Sequence, residues 1–148
     1  MRVLLQRVHS AQVQVHGESI ASIPRGLLVF VGIHKLDNDR SSDWMLNKVL
    51  NARIFEDDAG KMGRSVQDIS GAILIVSQFT LYGDLRKGAR PDFGASMPAL
   101  PAKEYYDKWV SKIRQSCTLK IEEGRFGAKM DVQLINDGPV TLMIDDGV

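Results

Sequence analysis

The apolar positions along the chain fall into two kinds of run. In Ala11-Gln12-Val13-Gln14-Val15 every second side chain is apolar, the period of a strand with one buried face. Leu27-Leu28-Val29-Phe30-Val31 and Ala72-Ile73-Leu74-Ile75-Val76 have no polar face at all, as expected of strands covered on both sides. Residues 1–8 read as a further strand, and 20–23 as a return strand after the turn His16-Gly17-Glu18-Ser19. Pro24-Arg25-Gly26 breaks the chain before the run over 27–33, and the apolar strand over 72–81 ends in polar residues. The polar stretch 37–42 can start a helix, over which Trp44, Met45, Val49, Leu50 and Ile54 recur at roughly helical spacing. Pro101 suits the first turn of a second helix, with Tyr106, Trp109, Val110, Ile113 and Cys117 on one face. Strands return at 119–122, 130–135 and 140–144. Between them, 83–101 holds three Gly and three Pro, and reads as a long loop of the kind that is functional or mobile. Many strands and two main helices, without regular alternation, predict an α+β fold: a mainly antiparallel sheet curled towards a barrel.

A length of 148 residues suits a single domain spanning 1–148. With 44% hydrophobic and 25% charged residues the composition is globular, which excludes a disordered tail. Nineteen Lys and Arg against eighteen Asp and Glu leave +1, not the basic excess of a protein that holds nucleic acid by charge alone. The lone Cys117 rules out an internal disulfide and a cysteine-based zinc site, and suits a reducing cytoplasm. No run approaches the roughly 20 apolar residues of a membrane span, and the amino terminus does not read as a signal peptide. A soluble, cytoplasmic protein is expected.

Common catalytic signatures are missing: there is no His-Glu-x-x-His and no phosphate loop. His9, His16 and His34 lie among strands and turns and read as ordinary surface residues. Asp37-Asn38-Asp39 lacks the glycine and distal glutamate of a calcium loop and reads as a solvated helix start. Gly124-Arg125-Phe126-Gly127 matches the G-x-x-G of an RNA-clamping loop, but the helices that should flank it are not evident, so a plain turn is the better reading. Arg86, Lys87 and Arg90 form a basic patch, solvated or, beside a nucleic-acid site, paired with phosphates. Ser77-Gln78-Phe79-Thr80-Leu81 brings polar side chains to the end of a buried strand, which points either to functional groups or to a strand end capped by its own hydroxyls. In Asn136-Asp137-Gly138-Pro139-Val140-Thr141, Pro139 removes a backbone donor and restricts Gly138, so a turn is expected.

Taken in order, these segments resemble the D-aminoacyl-tRNA deacylases, the family once called D-tyrosyl-tRNA deacylase. The resemblance runs from Gln6-Arg7-Val8 through Gly26-Leu27-Leu28-Val29, Arg53-Ile54-Phe55, Gly60-Lys61-Met62 and the Ser77 segment. It continues through Lys87-Gly88-Ala89-Arg90-Pro91-Asp92-Phe93, Gly124-Arg125-Phe126-Gly127-Ala128-Lys129-Met130 and the Asn136 segment. It implies a barrel-like homodimer with two active sites at its interface, where the Ser77 and Gly138-Pro139 segments of opposite chains meet, the Gly-Pro bond being cis. The implied reaction is hydrolysis of the ester of tRNA carrying a D-amino acid or glycine, with L-residues rejected by clash against Gly138 and Pro139. Ser77, Gln78, Phe79, Thr80 and Met130 would bind substrate with that pair, and Arg86, Lys87 and Arg90 would contact tRNA. The backbone of Phe79 and Thr80 is expected to hold the oxyanion. Thr80 is the one candidate nucleophile, but no base is evident beside it, so positioning the ester for water, helped by the ribose 2′-hydroxyl, is the main expectation. No metal or cofactor is called for and no membrane partner is expected. Rival readings are a non-catalytic RNA-binding module and a small esterase without an RNA partner.

Overall fold

The computed structural model describes residues 1–147. Five strands form one path through the main sheet, in the order β2 (Glu18–Ile23), β1 (Arg2–Val15), β3 (Gly26–Gly32), β6 (Ala72–Ser77), β7 (Ile121–Glu123). A sixth, β8 (Asp131–Asp145), pairs with β1. β1 runs antiparallel to β2, β3 and β8, whereas β3–β6 and β6–β7 are parallel, so the sheet is mixed with antiparallel pairs predominating. It curls until β2 lies beside the start of β7, where Lys120 Nζ donates to Ser22 O at 3.0 Å, and the barrel is nearly closed. A small hairpin, β4 (Phe55–Glu56) with β5 (Met62–Arg64), stands apart.

The continuous apolar runs are explained by two cores. Leu27, Val29, Val31, Ile73 and Ile75 face one core, under α1 (Asp39–Asn51) and α2 (Ala99–Ser116). The alternate residues Leu28, Leu74 and Val76 face a second core inside the curl, with Val8, Ala11, Val13 and Ile23. β1 serves both: Val3 and Leu5 point to the helices, and Ala11 and Val13 into the curl. The change of face occurs where its pairing with β8 is irregular, on either side of Val8, as bulges allow.

The α+β class and curled sheet expected from the sequence are found, with several boundaries moved. Residues 1–8 and 11–15 are one strand. The strand expected over 72–81 stops at Ser77. Gln78 N–H completes the parallel ladder on Val31 O (2.7 Å), and the chain then tightens into a 3-10 turn, Phe79–Tyr82. α2 starts at Ala99, ahead of Pro101, whose missing N–H falls in the first turn where none is needed. Its face of Tyr106, Trp109, Val110 and Ile113 is buried as expected, with Trp109 Nε1 donating to Ser42 O at 3.1 Å. Trp44 instead lies partly exposed under Lys48, and Ile54 falls beyond the end of α1. The turn expected at 136–141 lies within the bounds of a single long strand. There Asp137, Gly138, Pro139 and Val140 together oppose Arg7, a local outpouching in an otherwise paired strand.

Candidate active site

A cavity of about 480 Å³ opens at the carboxyl ends of β3 and β6, within the size range of small-molecule sites. Val31, Ile33, Val76, Ser77, Gln78 and Phe79 form its floor and one side. Met97, Ala99 and Ala102, leading into α2, form a second wall, and the stretch from Phe126 to Val132 closes the third. Ligand sites in parallel sheets gather at such strand ends, because the chain must leave the ladder there and exposes backbone groups.

The polar equipment sits on the turn after β6. Among the described residues neither the Phe79 nor the Thr80 N–H donates to a backbone carbonyl outside the turn, as expected for the first residues of a tight helical turn. Phe79 is held otherwise: its ring meets Phe93 edge-on at 5.0 Å, and Ser96 Oγ donates to its carbonyl at 3.1 Å. Thr80 is exposed, and its Oγ1 accepts from the Gln78 side-chain amide. An amide takes no proton at neutral pH. Among the described residues no His, Asp or Glu hydrogen-bonds to Thr80, so no base stands ready to activate it. Among the described residues, too, no cluster of His, Cys, Asp and Glu is placed to hold a metal.

The structure brings Ser77, Gln78, Phe79 and Met130 together around the cavity, with Thr80 beside them. It does not bring Gly138 and Pro139 there. That pair is exposed and lines no part of the cavity of its own chain; the bond between them is cis. Gly138 has φ +139°, and a Cβ on it would lie 2.6 Å from Val140 N.

Two residues outside the expected site hold this outpouching. Arg7 is 5% exposed and donates through Nη1 to Ile54 O at 2.6 Å, through Nε to Asp137 O at 3.2 Å, and through Nη2 to Asp137 Oδ1 at 3.2 Å. Asn136 Nδ2 donates to the carbonyls of Arg7 (2.9 Å) and Val140 (3.1 Å). A buried cation at an alternating strand position gives a sequence signal for such a role, but only once the facing residues are known. Phe126 and Ala128 line the cavity although 124–127 reads locally as a plain turn, which gives no sign of a cavity wall.

The basic patch lies on the loop after the 3-10 turn, which Asp84 and Asp92 pinch into a small bridge. Arg86 is engaged there: Nε and Nη2 hold Asp84, whose carboxyl this pairing lowers to about 2. Lys87 and Arg90 are exposed and unpaired among the described residues.

The family described as D-Tyr-tRNA(Tyr) deacylase matches residues 4–145. The chain belongs to that family. It is 52% identical to a D-aminoacyl-tRNA deacylase of Thermosipho melanesiensis over 145 residues, covering 98% of this chain and 97% of that protein. A protein of the same name from Thermotoga petrophila is 49% identical over the same coverage. Among solved structures, one titled c-Myc DNA Unwinding Element Binding Protein superposes with a TM-score of 0.96 at 41% identity, each chain fully covered. A probable eukaryotic D-amino acid tRNA deacylase shares the fold alone, with a TM-score of 0.84 at 18% identity and 97% of each chain covered.

Proposed function

We propose that the chain hydrolyses the ester of D-aminoacyl-tRNA, and of mischarged glycyl-tRNA, as a cytoplasmic homodimer. One observation carries this reading beyond family membership. The cavity and the Gly138-Pro139 pair are both well formed, yet they lie apart in one chain. A two-fold pairing of chains would let each outpouching serve the neighbour's cavity. The exposed apolar residues Ile135, Leu142 and Met143, all on β8, suit burial in such a contact.

In that complex the carbonyls of Gly138 and Pro139 of the partner subunit face the substrate's α-carbon. They accept from a D-residue's ammonium and leave no room for an L-side chain. Glycine carries no side chain to exclude. Water adds to the ester carbonyl, and charge develops on its oxygen beside the free N–H groups of Phe79 and Thr80. The bond to the ribose oxygen breaks, that oxygen leaves protonated with the tRNA, and the amino acid leaves as the free acid. The adjacent 2′-hydroxyl assists the proton transfer, and Thr80 orients the ester. Ser77, Gln78 and Met130 contact the terminal nucleoside and aminoacyl group, while Lys87 and Arg90 meet tRNA phosphates and Arg86 does so only on leaving Asp84. No cofactor takes part.

The test is to incubate the purified protein with D-tyrosyl-tRNA and L-tyrosyl-tRNA and follow ester loss. Rapid hydrolysis of the D-ester alone supports the reading. Binding without turnover would favour an RNA-binding module, and cleavage of simple amino-acid esters without tRNA would favour a general esterase.

A further inference from the structure

The loop Gly124-Arg125-Phe126-Gly127-Ala128-Lys129-Met130 connects β7 to β8 and forms one wall of the cavity. Its base is fixed by Gly124 N–H on Ile75 O (2.8 Å), its bend by Ala128 N–H on Arg125 O (3.1 Å), and Phe126 packs on Tyr106 with ring centres 5.5 Å apart. Accessibility alternates along it. Phe126, Ala128 and Met130 are partly buried and line the cavity, whereas Arg125 and Lys129 are exposed. The two cations therefore stand on the outer side of this wall, Arg125 just before the residues that touch the cavity and Lys129 between two of them, Ala128 and Met130.

Both are also uncommitted. Other basic residues are paired with carboxylates: Arg114 with Glu123, Lys120 with Glu122, Lys103 with Asp107 and Arg86 with Asp84. Neither Arg125 nor Lys129 has an ion pair or a side-chain hydrogen bond among the described residues. Because those pairs also occupy Glu122 and Glu123, the acids before the loop do not offset its charge. Asp131 follows across Met130, in β8 opposite Gln14. Exposed lysine and arginine flanking an apolar cavity match a single-stranded nucleic acid whose terminal base is inserted and whose backbone passes over the rim.

We propose that Arg125 and Lys129 bind the backbone phosphates of the single-stranded 3′ end of tRNA as its terminal nucleoside enters the cavity. This rests on the tRNA-ester reading above and assigns the phosphate contacts nearest the reacting bond to this wall, in addition to the loop carrying Lys87 and Arg90.

The experiment compares wild type, Arg125→Ala, Lys129→Ala and the double variant on D-tyrosyl-tRNA and on 3′-O-D-tyrosyl-adenosine, which has no phosphate, across a salt series. For a single strand, removing the cation from one phosphate should flatten the slope of log affinity against log salt by about 0.7, or about fivefold in KM near 0.1 M salt. The expected result is that KM for the tRNA substrate rises at low salt, kcat is kept, Arg125→Lys restores KM, and the loss on the adenosine ester is much the smaller. A double variant with unchanged KM and salt slope on tRNA overturns the proposal. So does equal loss on both substrates, which marks damage to the cavity wall. A wild-type protein inactive on D-tyrosyl-tRNA would instead remove the functional reading itself.

Discussion

At the carboxyl ends of β3 and β6 the chain encloses a space; at the outpouching of β8 it pushes backbone out into solvent. The two regions solve opposite problems. The cavity is a by-product of parallel pairing, where strands buried on both faces end together and the chain must turn away. The outpouching lies on an antiparallel pair, where four residues opposing one would leave backbone groups unpaired, and Arg7 and Asn136 supply the missing partners. The cavity has largely apolar walls, with the turn carrying Phe79 and Thr80 at its edge. The outpouching presents exposed backbone at Gly138 and Pro139 and lines no part of that cavity. The two lie apart in one chain, which is the observation behind the proposal of a site completed by two chains.

The sharpest way to break the comparison is to release the outpouching. Arg7→Ala removes a buried cation and leaves Asp137 and the Ile54 carbonyl without it, so a stability loss of about 3–5 kcal/mol is expected in chemical denaturation. A loss below about 1 kcal/mol would mean that Arg7 is not what holds this region. Gly138→Ala is the local version. Its Cβ would meet Val140 N at 2.6 Å, so the backbone must shift. A displacement of about 1 Å at a reacting centre costs on the order of a hundredfold. D-tyrosyl-tRNA hydrolysis should fall by that order, or its preference over the L-ester should relax, with the far-ultraviolet dichroism unchanged. An unaltered rate and ratio would detach Gly138 from selectivity.

On the cavity side the expected effect is smaller. Thr80→Ala removes an orienting hydroxyl worth roughly 1–3 kcal/mol, or about ten- to a hundredfold in kcat/KM. Loss of a covalent nucleophile would instead cost several orders of magnitude, as in a triad. Removing the 2′-hydroxyl from the terminal adenosine should slow wild-type cleavage markedly. A dead Thr80→Ala variant beside normal cleavage of the deoxy substrate would reverse the assignment.

Much of the fold is legible in the pattern of residues, and the gaps have physical causes. Buried runs such as 27–31 and 72–76 declare themselves, because two covered faces leave no polar position. The amphipathic face of α2 does the same. Strand ends are harder: polar residues follow Val76 whether the chain continues extended or tightens, and only the bond from Gln78 N–H to Val31 O decides where the ladder closes. Asp-Gly-Pro reads as a turn because local chemistry favours one, whereas pairing of the flanking residues with β1 draws the segment into a strand with an outpouching. The roles of Arg7 and Phe126 cannot be read from their own neighbourhood in the sequence, for a related reason. Their roles depend on residues about 130 and 20 positions away, Asp137 and Tyr106, and no local period marks such contacts.

The measurement that most directly tests a shared site is complementation between two crippled chains. Gly138→Ala and Thr80→Ala chains, co-expressed with distinct tags and isolated as the mixed dimer, would carry both defects in one site and none in the other if Gly138 serves the neighbour's cavity. The expected result is recovery to about half the wild-type rate per dimer, far above either variant alone. If each chain completes its own site, every site in the mixed dimer keeps one defect. A rate no higher than the mean of the two single-variant proteins would therefore contradict the account.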